Sequence, residues 1–389
     1  MKLRIACLFL VCTILLIFAV PISGADAAED VALETTVSLD LACKSAILMD
    51  AETGTVLYEQ NADEALPPAS VTKIMTLLLV MEAVESGAIK LTDMVSVSAN
   101  AASMGGSQIY LKEGEQMCVE ELIKSVVIAS ANDAAVALAE FVAGSEETFV
   151  ERMNARAKEL NMTQTSFENT NGLDDTVEHH LTSARDIAIM SAQLIKHKKI
   201  LEYSAIWMDT IRNGEFGLTN TNRLVRFYKG ATGLKTGSTA KAKFCVSATA
   251  ERDGMHLICV IMGAETRDSR NAIATQLLDY GFANYELFHA DGQTLNEIKV
   301  TGGVEDTCGI GFDAFDYIVK KGDRGKVEQI IELDESVAAP IRKGTEVGTV
   351  TYRIGEEILG SVPIHFTEEI SKISFWELLE RILAGIFLK

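Results

Sequence analysis

The chain has 389 residues, of which 55 are acidic and 35 are basic, and its net charge is −20. Proteins that bind nucleic acid present basic patches, so this acidic composition argues against nucleic acid as a partner. The length exceeds that of one typical domain and suffices for a large hydrophobic core.

The amino-terminal residues have the pattern of a secretory signal peptide. Lys2 and Arg4 precede an almost wholly apolar stretch over residues 5–20, and the small residues Ala25-Asp26-Ala27 follow it. This order predicts cleavage after Ala27, so that residues 1–27 are removed and the remaining protein is exported. The alternative is an uncleaved membrane helix, although the apolar stretch is short for a full span.

Five cysteines lie beyond the signal segment, and an odd number leaves at least one without a disulfide partner inside the chain. Their wide spacing and mostly apolar neighbours favour buried thiols. There is no Cys-x-x-Cys pair and no histidine spacing typical of a metal site, so we expect neither a metal nor another cofactor. The five are Cys43, Cys118, Cys245, Cys259 and Cys308.

The first predicted elements are a hairpin and a helix. Two apolar runs flank a turn at Thr53-Gly54 and predict a β-hairpin over residues 44–60. Pro67-Pro68 prevent a helix before Ser70, and the apolar residues that follow continue one to about Gly87.

Ser70 and Lys73 are three residues apart at the start of this helix, so their side chains share one face. A hydroxyl and an amine placed in this way suit a serine nucleophile that an unprotonated lysine activates. An N-cap serine beside a solvated lysine has the same local sequence, so the pair alone does not decide between the two.

Residues 90–200 are predicted to be mainly helical, with loops at Gly105-Gly106 and over residues 170–180. Ser130-Ala131-Asn132 lies between an apolar stretch and an alanine-rich helix over residues 133–143. This tripeptide could contribute polar side chains to a catalytic site, and its residues are also good helix N-caps.

Strand patterns return over residues 208–265. Two strands, at 244–250 and 256–262, are joined by the hairpin turn Asp253-Gly254. Lys235-Thr236-Gly237 precedes these strands. Taken alone, this segment is most simply interpreted as a loop with a surface lysine.

The carboxy-terminal part begins after a predicted helix over residues 268–288. Short alternating runs separated by glycine turns predict a small all-β domain over residues 291–369. Apolar residues at spacings of three and four predict an amphipathic helix over residues 370–389, in which Trp376 suits a membrane surface. Residues 368–389 carry four glutamates and three basic residues, so apolar burial would supply most of the membrane binding. A helix docked on the protein's own core is the alternative.

Ser-x-x-Lys, Ser-x-Asn and Lys-Thr-Gly occur in this order at residues 70–73, 130–132 and 235–237. The chain thereby resembles the penicillin-recognising serine enzymes. Among them it is most similar to the low-molecular-weight penicillin-binding proteins that act as serine D-alanyl-D-alanine carboxypeptidases, peptidase family S11. Further segments that resemble this family lie at residues 106–112, 171–174 and 183–186.

The resemblance implies an α/β (α+β) fold of the penicillin-binding and β-lactamase type. An antiparallel sheet flanked by helices, with a helical subdomain, would occupy residues 28–290 ahead of the small all-β domain and the terminal amphipathic helix. The implied substrates are peptidoglycan stem peptides that end in D-Ala-D-Ala, and β-lactam antibiotics would acylate the same serine. The implied location is the outer face of the bacterial cytoplasmic membrane, as a peripheral protein.

The resemblance also implies roles for the motif residues. Ser70 is the expected nucleophile, Lys73 its general base, and Ser130 the group that passes the proton to the leaving amine. Lys235 is expected to orient Ser130, and Asn132 to hydrogen-bond the substrate amide.

The residues expected to bind substrate beside Asn132 are Lys235, Thr236, Gly237, Ser238, Thr239 and Arg270. The backbone N–H groups of the nucleophile and of Ser238 would form the oxyanion hole. Thr236 and Thr239 would contact the terminal carboxylate. Arg270 matches a carboxylate-binding arginine of related enzymes, with Arg267 as the competing assignment.

Three other functions stay open. A β-lactamase would need a glutamate–asparagine pair that activates deacylating water, and Glu168-Asn169 are adjacent, but their surroundings do not resemble that loop. A D,D-endopeptidase would share all three motifs but often lacks the C-terminal domain. A non-catalytic cell-wall binding protein would not need the intact motif residues.

Overall fold

The computed structural model describes residues 39–387, so the predicted signal segment at residues 1–27 lies outside the described part. The α-helices there are α1 (Lys73–Glu85), α2 (Ala99–Ala102), α3 (Val119–Ile128), α4 (Asn132–Ala143), α5 (Glu146–Glu159), α6 (Ala184–Lys196), α7 (Lys198–Ser204), α8 (Leu224–Phe227), α9 (Arg267–Asn284) and α10 (Phe375–Phe387).

The strands up to residue 264 are β1 (Ser45–Asp50), β2 (Val56–Gln60), β3 (Met94–Ser96), β4 (Gln116–Cys118), β5 (Met208–Ile211), β6 (Phe216–Thr219), β7 (Ala231–Thr239), β8 (Lys243–Arg252) and β9 (Met255–Ala264). The later strands are β10 (Tyr285–Ala290), β11 (Gln293–Thr294), β12 (Ile298–Thr301), β13 (Thr307–Cys308), β14 (Ile310–Phe312), β15 (Phe315–Lys320), β16 (Glu328–Leu333), β17 (Ser336–Ala338), β18 (Glu346–Ile354) and β19 (Glu357–Phe366). Short 3-10 helices occur at Ala69–Thr72 and Arg324–Lys326.

A five-stranded antiparallel sheet with the order β2-β1-β9-β8-β7 forms the centre of the larger domain. The predicted hairpins at Thr53-Gly54 and Asp253-Gly254 are confirmed. Every residue of β9 is buried, because helices cover both faces of the sheet. Side chains alternate along β1, so Ile47 faces the core beneath the helical part and Leu48 faces the core beneath α9.

Helix α1 lies at the centre of the helical part. Its apolar side chains are buried on all sides, which is typical of a helix inside a core rather than on a surface. It ends at Glu85, close to the predicted end at Gly87. Ser70 lies in the 3-10 helix Ala69–Thr72, one turn ahead of the α-helix that was predicted to include it.

The end of the helix predicted over residues 268–288 was placed too far toward the carboxy terminus. α9 ends at Asn284, and the following residues form β10, which pairs with β15 over its whole length. Tyr285, Leu287 and Phe288 favour a strand once a partner strand is present, since β-propensity depends on such pairing. β10 falls inside the predicted catalytic range of 28–290 but pairs with a strand of the following domain.

The carboxy-terminal domain is all-β, as predicted, and it encloses its own hydrophobic core. The predicted helix over residues 370–389 begins later, at Phe375. Ile370 instead pairs with Ile341 and is buried in the core of the all-β domain. None of the helices within residues 39–387 is long and apolar enough to cross a membrane. The five cysteines of this range form no disulfide.

Candidate active site

The nucleophile turn lies against strand β7. A Cβ atom on Gly237 would lie 2.8 Å from the Ser70 backbone nitrogen, and 2.9 Å from the carbonyl oxygen of Pro68 and the nitrogen of Val71. Only glycine permits so close an approach of the two backbones. The third motif therefore needs its glycine to bring β7 beside Ser70.

A chain of hydrogen bonds holds the turn from the other side. Ala69 has a left-handed backbone, with φ of +49°, and its carbonyl oxygen accepts from Thr72 Oγ1 at 2.8 Å. The Thr72 oxygen lies 2.7 Å from Nε2 of His180. Since the Glu168 N–H donates to Nδ1 of the same ring, Nε2 carries the proton and donates to Thr72. These contacts offset the strained conformation next to the nucleophile.

Lys73 is completely buried and has three polar neighbours. Nζ lies 2.9 Å from Ser70 Oγ, 2.6 Å from Asn132 Oδ1 and 2.7 Å from the carbonyl oxygen of Asn171. Asn132 Nδ2 donates to the Gly105 carbonyl at 2.7 Å, which fixes Oδ1 toward the lysine. A neutral amine has two hydrogens and one lone pair. Asn132 and Asn171 accept the two hydrogens, so the lone pair is left for the Ser70 hydroxyl.

The electrostatics favour that neutral form. Burial lowers the pKa of Lys73 well below its ordinary value, and the charge of Lys235 lowers it further, while Asp133 acts in the opposite direction. Burial, and then the charge of Arg270, also lower the pKa of Lys235, to about 7. Two buried cations without a carboxylate in direct contact would repel each other, so at least one proton is easily lost.

The second and third motifs meet through Ser130 and Lys235. Lys235 Nζ donates to Ser130 Oγ at 2.7 Å and to the Thr236 carbonyl oxygen at 2.8 Å. Ser130 has φ of +63°, which is uncommon for a residue with a side chain and typical of a functional position. The predicted link between Lys235 and Ser130 is present in the structure.

These groups open onto a cleft of about 530 Å³. Of the predicted residues, Ser70, Ser130, Thr236, Gly237, Ser238 and Arg270 line it. Arg270 is 3% exposed, and Nη1 lies 3.4 Å from the Cys245 carbonyl oxygen. Burial, followed by the charge of Arg267, lowers its pKa to about 10. A buried guanidinium with no carboxylate beside it is suited to bind an anion from outside.

Lys73, Asn132 and Lys235 are buried and do not line the cleft themselves, although Lys73 contacts Ser70 and Lys235 contacts Ser130. Thr239 does not line the cleft either, and it has no such link to it. Its hydroxyl donates to Asp174 Oδ2 at 2.5 Å and accepts from the Ala242 N–H at 3.0 Å. Both contacts lie at the end of β7, beyond Ser238. The predicted contact of Thr239 with the substrate carboxylate therefore has no support from this geometry.

Several contacts were not predicted from the sequence. The Asn171 carbonyl is a backbone group, so no side-chain pattern indicates it. Thr221 Oγ1 accepts from Thr236 Oγ1 at 2.8 Å from a loop that carries no motif. The Asp133 carboxylate accepts from the N–H groups of Ile109 and Leu111. The position of Asp133 directly after the second motif was the one sequence feature that could have indicated its role.

The glutamate that a β-lactamase would need is not in this cleft. Glu168 is exposed, and its carboxylate accepts from the His179 N–H at 2.8 Å. Asn169 Oδ1 accepts from the N–H groups of Asn171 and Gly172, which shapes the loop. The geometry therefore offers no Glu168-activated water beside Ser70.

Comparison with known proteins shows the family of the chain. Residues 31–266 match the family model described as D-alanyl-D-alanine carboxypeptidase, peptidase S11, and residues 283–372 match the model of the C-terminal domain of penicillin-binding protein 5. The D-alanyl-D-alanine carboxypeptidase DacF of Bacillus subtilis is 44% identical over 345 residues, 87% of this chain and 88% of the relative. DacC of Escherichia coli is 35% identical, over 85% of this chain and 84% of the relative.

Solved structures are similar as well. Penicillin-binding protein 5 of Haemophilus influenzae superposes with a TM-score of 0.78 at 30% identity, over 87% of this chain and all of that one. Penicillin-binding protein D2 of Listeria monocytogenes, in its ampicillin-bound form, has a TM-score of 0.58 at 32% identity, over 63% of this chain and all of that one. The chain therefore belongs to the peptidase S11 family of D-alanyl-D-alanine carboxypeptidases.

Proposed function

We propose that this protein is a serine D,D-carboxypeptidase that removes the terminal D-alanine from peptidoglycan stem peptides. The observation that carries the proposal is the hydrogen bonding of Lys73. Nζ lies within 2.9 Å of Ser70 Oγ, Asn132 Oδ1 and the Asn171 carbonyl oxygen, so in the neutral amine the last two accept its hydrogens and the lone pair is left for the Ser70 hydroxyl. An amine held in this way is a general base for a serine nucleophile.

The reaction divides into two steps. Ser70 Oγ attacks the carbonyl carbon of the penultimate D-alanine and its proton passes to Lys73, while the backbone N–H groups of Ser70 and Ser238 stabilise the oxyanion. The C–N bond then breaks and an acyl-enzyme remains. The Ser130 hydroxyl donates a proton to the leaving amine and regains one from Lys235, while Lys73 holds the proton taken from Ser70. Water attacks this ester, which releases the shortened peptide and restores the Ser70 hydroxyl.

Specificity for a free C-terminus follows from the cations of the cleft. The terminal carboxylate lies on the leaving D-alanine, and the buried guanidinium of Arg270 supplies the matching donors. A neutral C-terminal amide would leave the buried guanidinium without an anion, which is costly.

The test is release of free D-alanine from an acyl-L-Lys-D-Ala-D-Ala peptide by the exported chain. Ser70→Ala and Lys73→Met are expected to lose more than a thousandfold in kcat/KM, because nucleophile and base are removed. Lys158→Met, which changes an exposed lysine of α5, is the matched control and should retain full activity. Absence of D-alanine release by the folded wild-type protein would refute the proposal.

β-Lactam antibiotics would acylate the same serine, since a relative of the same fold was solved with ampicillin bound. Labelling with a fluorescent penicillin, followed by peptide mass spectrometry, is expected to locate the adduct on Ser70. An adduct elsewhere, or none on folded protein, would contradict this assignment and favour a non-catalytic binding protein.

We further propose that the protein is exported and held peripherally at the outer face of the cytoplasmic membrane by α10. Phe375 and Trp376 are each 71% exposed, and Ile382 and Ile386 are also exposed, so a helix with a strong apolar face is not covered by the protein's own core. Interfacial helices of this kind bury their apolar face at the lipid headgroups.

Vesicle sedimentation tests this attachment. Deletion of residues 375–389 should abolish binding to neutral phosphatidylcholine vesicles, since apolar burial supplies most of the affinity. Met208→Gln removes an exposed apolar side chain distant in sequence from the helix, and it should leave binding unchanged. Equal sedimentation of the truncated and full chains would refute the anchor.

A further inference from the structure

The far end of the cleft holds more positive charge than one carboxylate requires. Beyond the motif residues, the cleft is lined by Arg223, Arg267 and Arg270. All three line the same cleft, and the charges of Arg267 and Arg223 both contribute to the lowered pKa of Arg270. Arg270 is buried, whereas Arg223 and Arg267 are exposed to the cleft.

These arginines lack acidic partners in a chain that has an excess of acidic residues. Within residues 39–387, ion pairs with carboxylates are made by Arg156, Arg185, Arg212, Arg252, Arg353 and Arg381. In the same range the three cleft arginines form none. Asp268 is the acidic neighbour whose charge reaches Arg270, but it makes no ion pair with any of the three. The three cleft arginines are therefore not paired with carboxylates.

Arg223 is held in place by buried asparagines. Asn222 Nδ2 donates to the Gly233 carbonyl at 2.8 Å, and its Oδ1 accepts from the Leu224 N–H. Asn220 Nδ2 donates to the carbonyls of Ser204 and Ile206. The segment that presents Arg223 to the cleft is thus fixed on both sides, which lowers the cost of binding a ligand there.

Arg267 lies at the start of α9. Oγ1 of the cap residue Thr266 accepts from the Ser269 N–H at 3.0 Å, and Ser269 Oγ accepts from the Thr266 N–H at 3.1 Å. The amino-terminal end of an 18-residue helix carries partial positive charge, which adds to that of Arg267 and Arg270. Two elements, the loop before α8 and the start of α9, therefore direct positive charge into one end of the cleft.

We propose that Arg223 and Arg267 form a second anion subsite on the leaving-group side of the cleft, which accepts a second carboxylate carried by the leaving residue. The inference rests on the proposed function, because Arg270 takes the terminal carboxylate there. D-Alanine has no second acidic group, so the subsite selects leaving residues whose side chain ends in a carboxylate. A second hollow continues past Arg223 along Leu224 and Thr275, which leaves room for a leaving group larger than D-alanine.

Three peptides with the same acyl part and terminal D-alanine, D-glutamate or D-glutamine test the subsite. D-Glutamate and D-glutamine have nearly the same shape, so the ratio of their kcat/KM values isolates the effect of charge. We expect the wild-type protein to favour D-glutamate about fivefold, as for a solvent-accessible ion pair. The ratio should fall toward one in Arg223→Gln and in Arg267→Gln, and also in the wild type at high salt.

Arg226→Gln is the matched control. Arg226 lies over the rings of Trp207 and Phe227 and does not line the cleft, so its removal should leave the ratio within about twofold of the wild type. A ratio of one or less in the wild type, or a ratio unchanged in both cleft variants, would overturn the subsite. Release of D-alanine without cleavage of either larger residue would do the same. Failure to release D-alanine would instead refute the proposed function.

Discussion

Substitution of Gly237 by alanine tests whether the close approach of β7 to the nucleophile turn sets the reaction geometry. The new Cβ atom would lie 2.8 Å from the Ser70 nitrogen and 2.9 Å from two further backbone atoms, Pro68 O and Val71 N. An ordinary contact at this point needs about 3.4 Å or more, so the strand and the turn must separate by about half an ångström.

Neither partner yields easily. Gly237 is paired with Cys245 of β8, and the turn is held by the hydrogen bonds from His180 through Thr72 to Ala69. Overpacking of this kind costs about 1–3 kcal/mol of stability. Loss of one oxyanion donor costs about 10²–10³ in rate. A partial displacement of the Ser70 and Ser238 donors is therefore expected to slow acylation about 10- to 100-fold.

The assay is the second-order rate constant for acylation by a fluorescent penicillin, measured beside the thermal unfolding midpoint. Gly217→Ala is the matched control, because Gly217 is also a strand glycine but has no atom within 4 Å of its added Cβ. The control should acylate at the wild-type rate. Wild-type acylation by Gly237→Ala would refute the argument that this contact positions the oxyanion donors.

Three further predictions concern the buried polar groups. Lys73→Arg should lose about 10²–10⁴ in acylation rate, measured with the same penicillin, because a guanidinium stays charged and cannot accept the Ser70 proton. His180→Ala should lower the free energy of unfolding in urea by about 1–3 kcal/mol, since Thr72 loses a buried partner; an unchanged value would contradict its role. The pKa of Lys235 is about 7 in the folded protein and ~10.4 when unfolded, so the unfolded chain binds more protons between these values. Stability should therefore rise from about pH 7 to about pH 10, and the rise should be smaller in Lys235→Met.

The contact between Ser70 and Lys73 could be predicted from the sequence because their short spacing constrains them, whereas the proposed roles of the motif residues came from the family resemblance. A separation of three positions places Ser70 and Lys73 on one face of a helical turn, and this holds in 3-10 as well as in α-helical geometry. The two hairpins were predicted for a similar reason, since turn residues and alternation act within about ten residues.

Contacts between distant segments could not be predicted in this way. Lys73 and the carbonyl of Asn171 are 98 positions apart, and that carbonyl has no side-chain signature. Thr239 carries a hydroxyl of the right kind to bind a carboxylate, but that hydroxyl donates to Asp174 on another loop. The helix α9 ends and the strand β10 begins at Tyr285 because β10 pairs with β15. The local pattern of apolar residues gives no information about that distant pairing.

The charges of the cleft also link substrate binding to proton transfer. The charge of Arg270 lowers the pKa of Lys235, and the charge of Lys235 in turn lowers the pKa of Lys73. A bound terminal carboxylate neutralises much of the Arg270 charge, so Lys235 should retain its proton more firmly in the complex and favour the neutral form of Lys73. The substrate would thus help to prepare the base that activates Ser70.

The pH dependence of D-alanine release tests this link. In the wild type, the pKa assigned to Lys235 should be near 7 in kcat/KM, which reports the unbound enzyme, and higher in kcat, which reports the complex. Arg270→Gln should raise the pKa assigned to Lys235 in the kcat/KM profile even without bound substrate. Arg342→Gln, which changes an exposed arginine of the all-β domain, should leave that pKa unchanged. Identical values in kcat and kcat/KM for the wild type would show that the carboxylate binds without altering Lys235. Arg270 would then act only as an anchor for the terminal carboxylate.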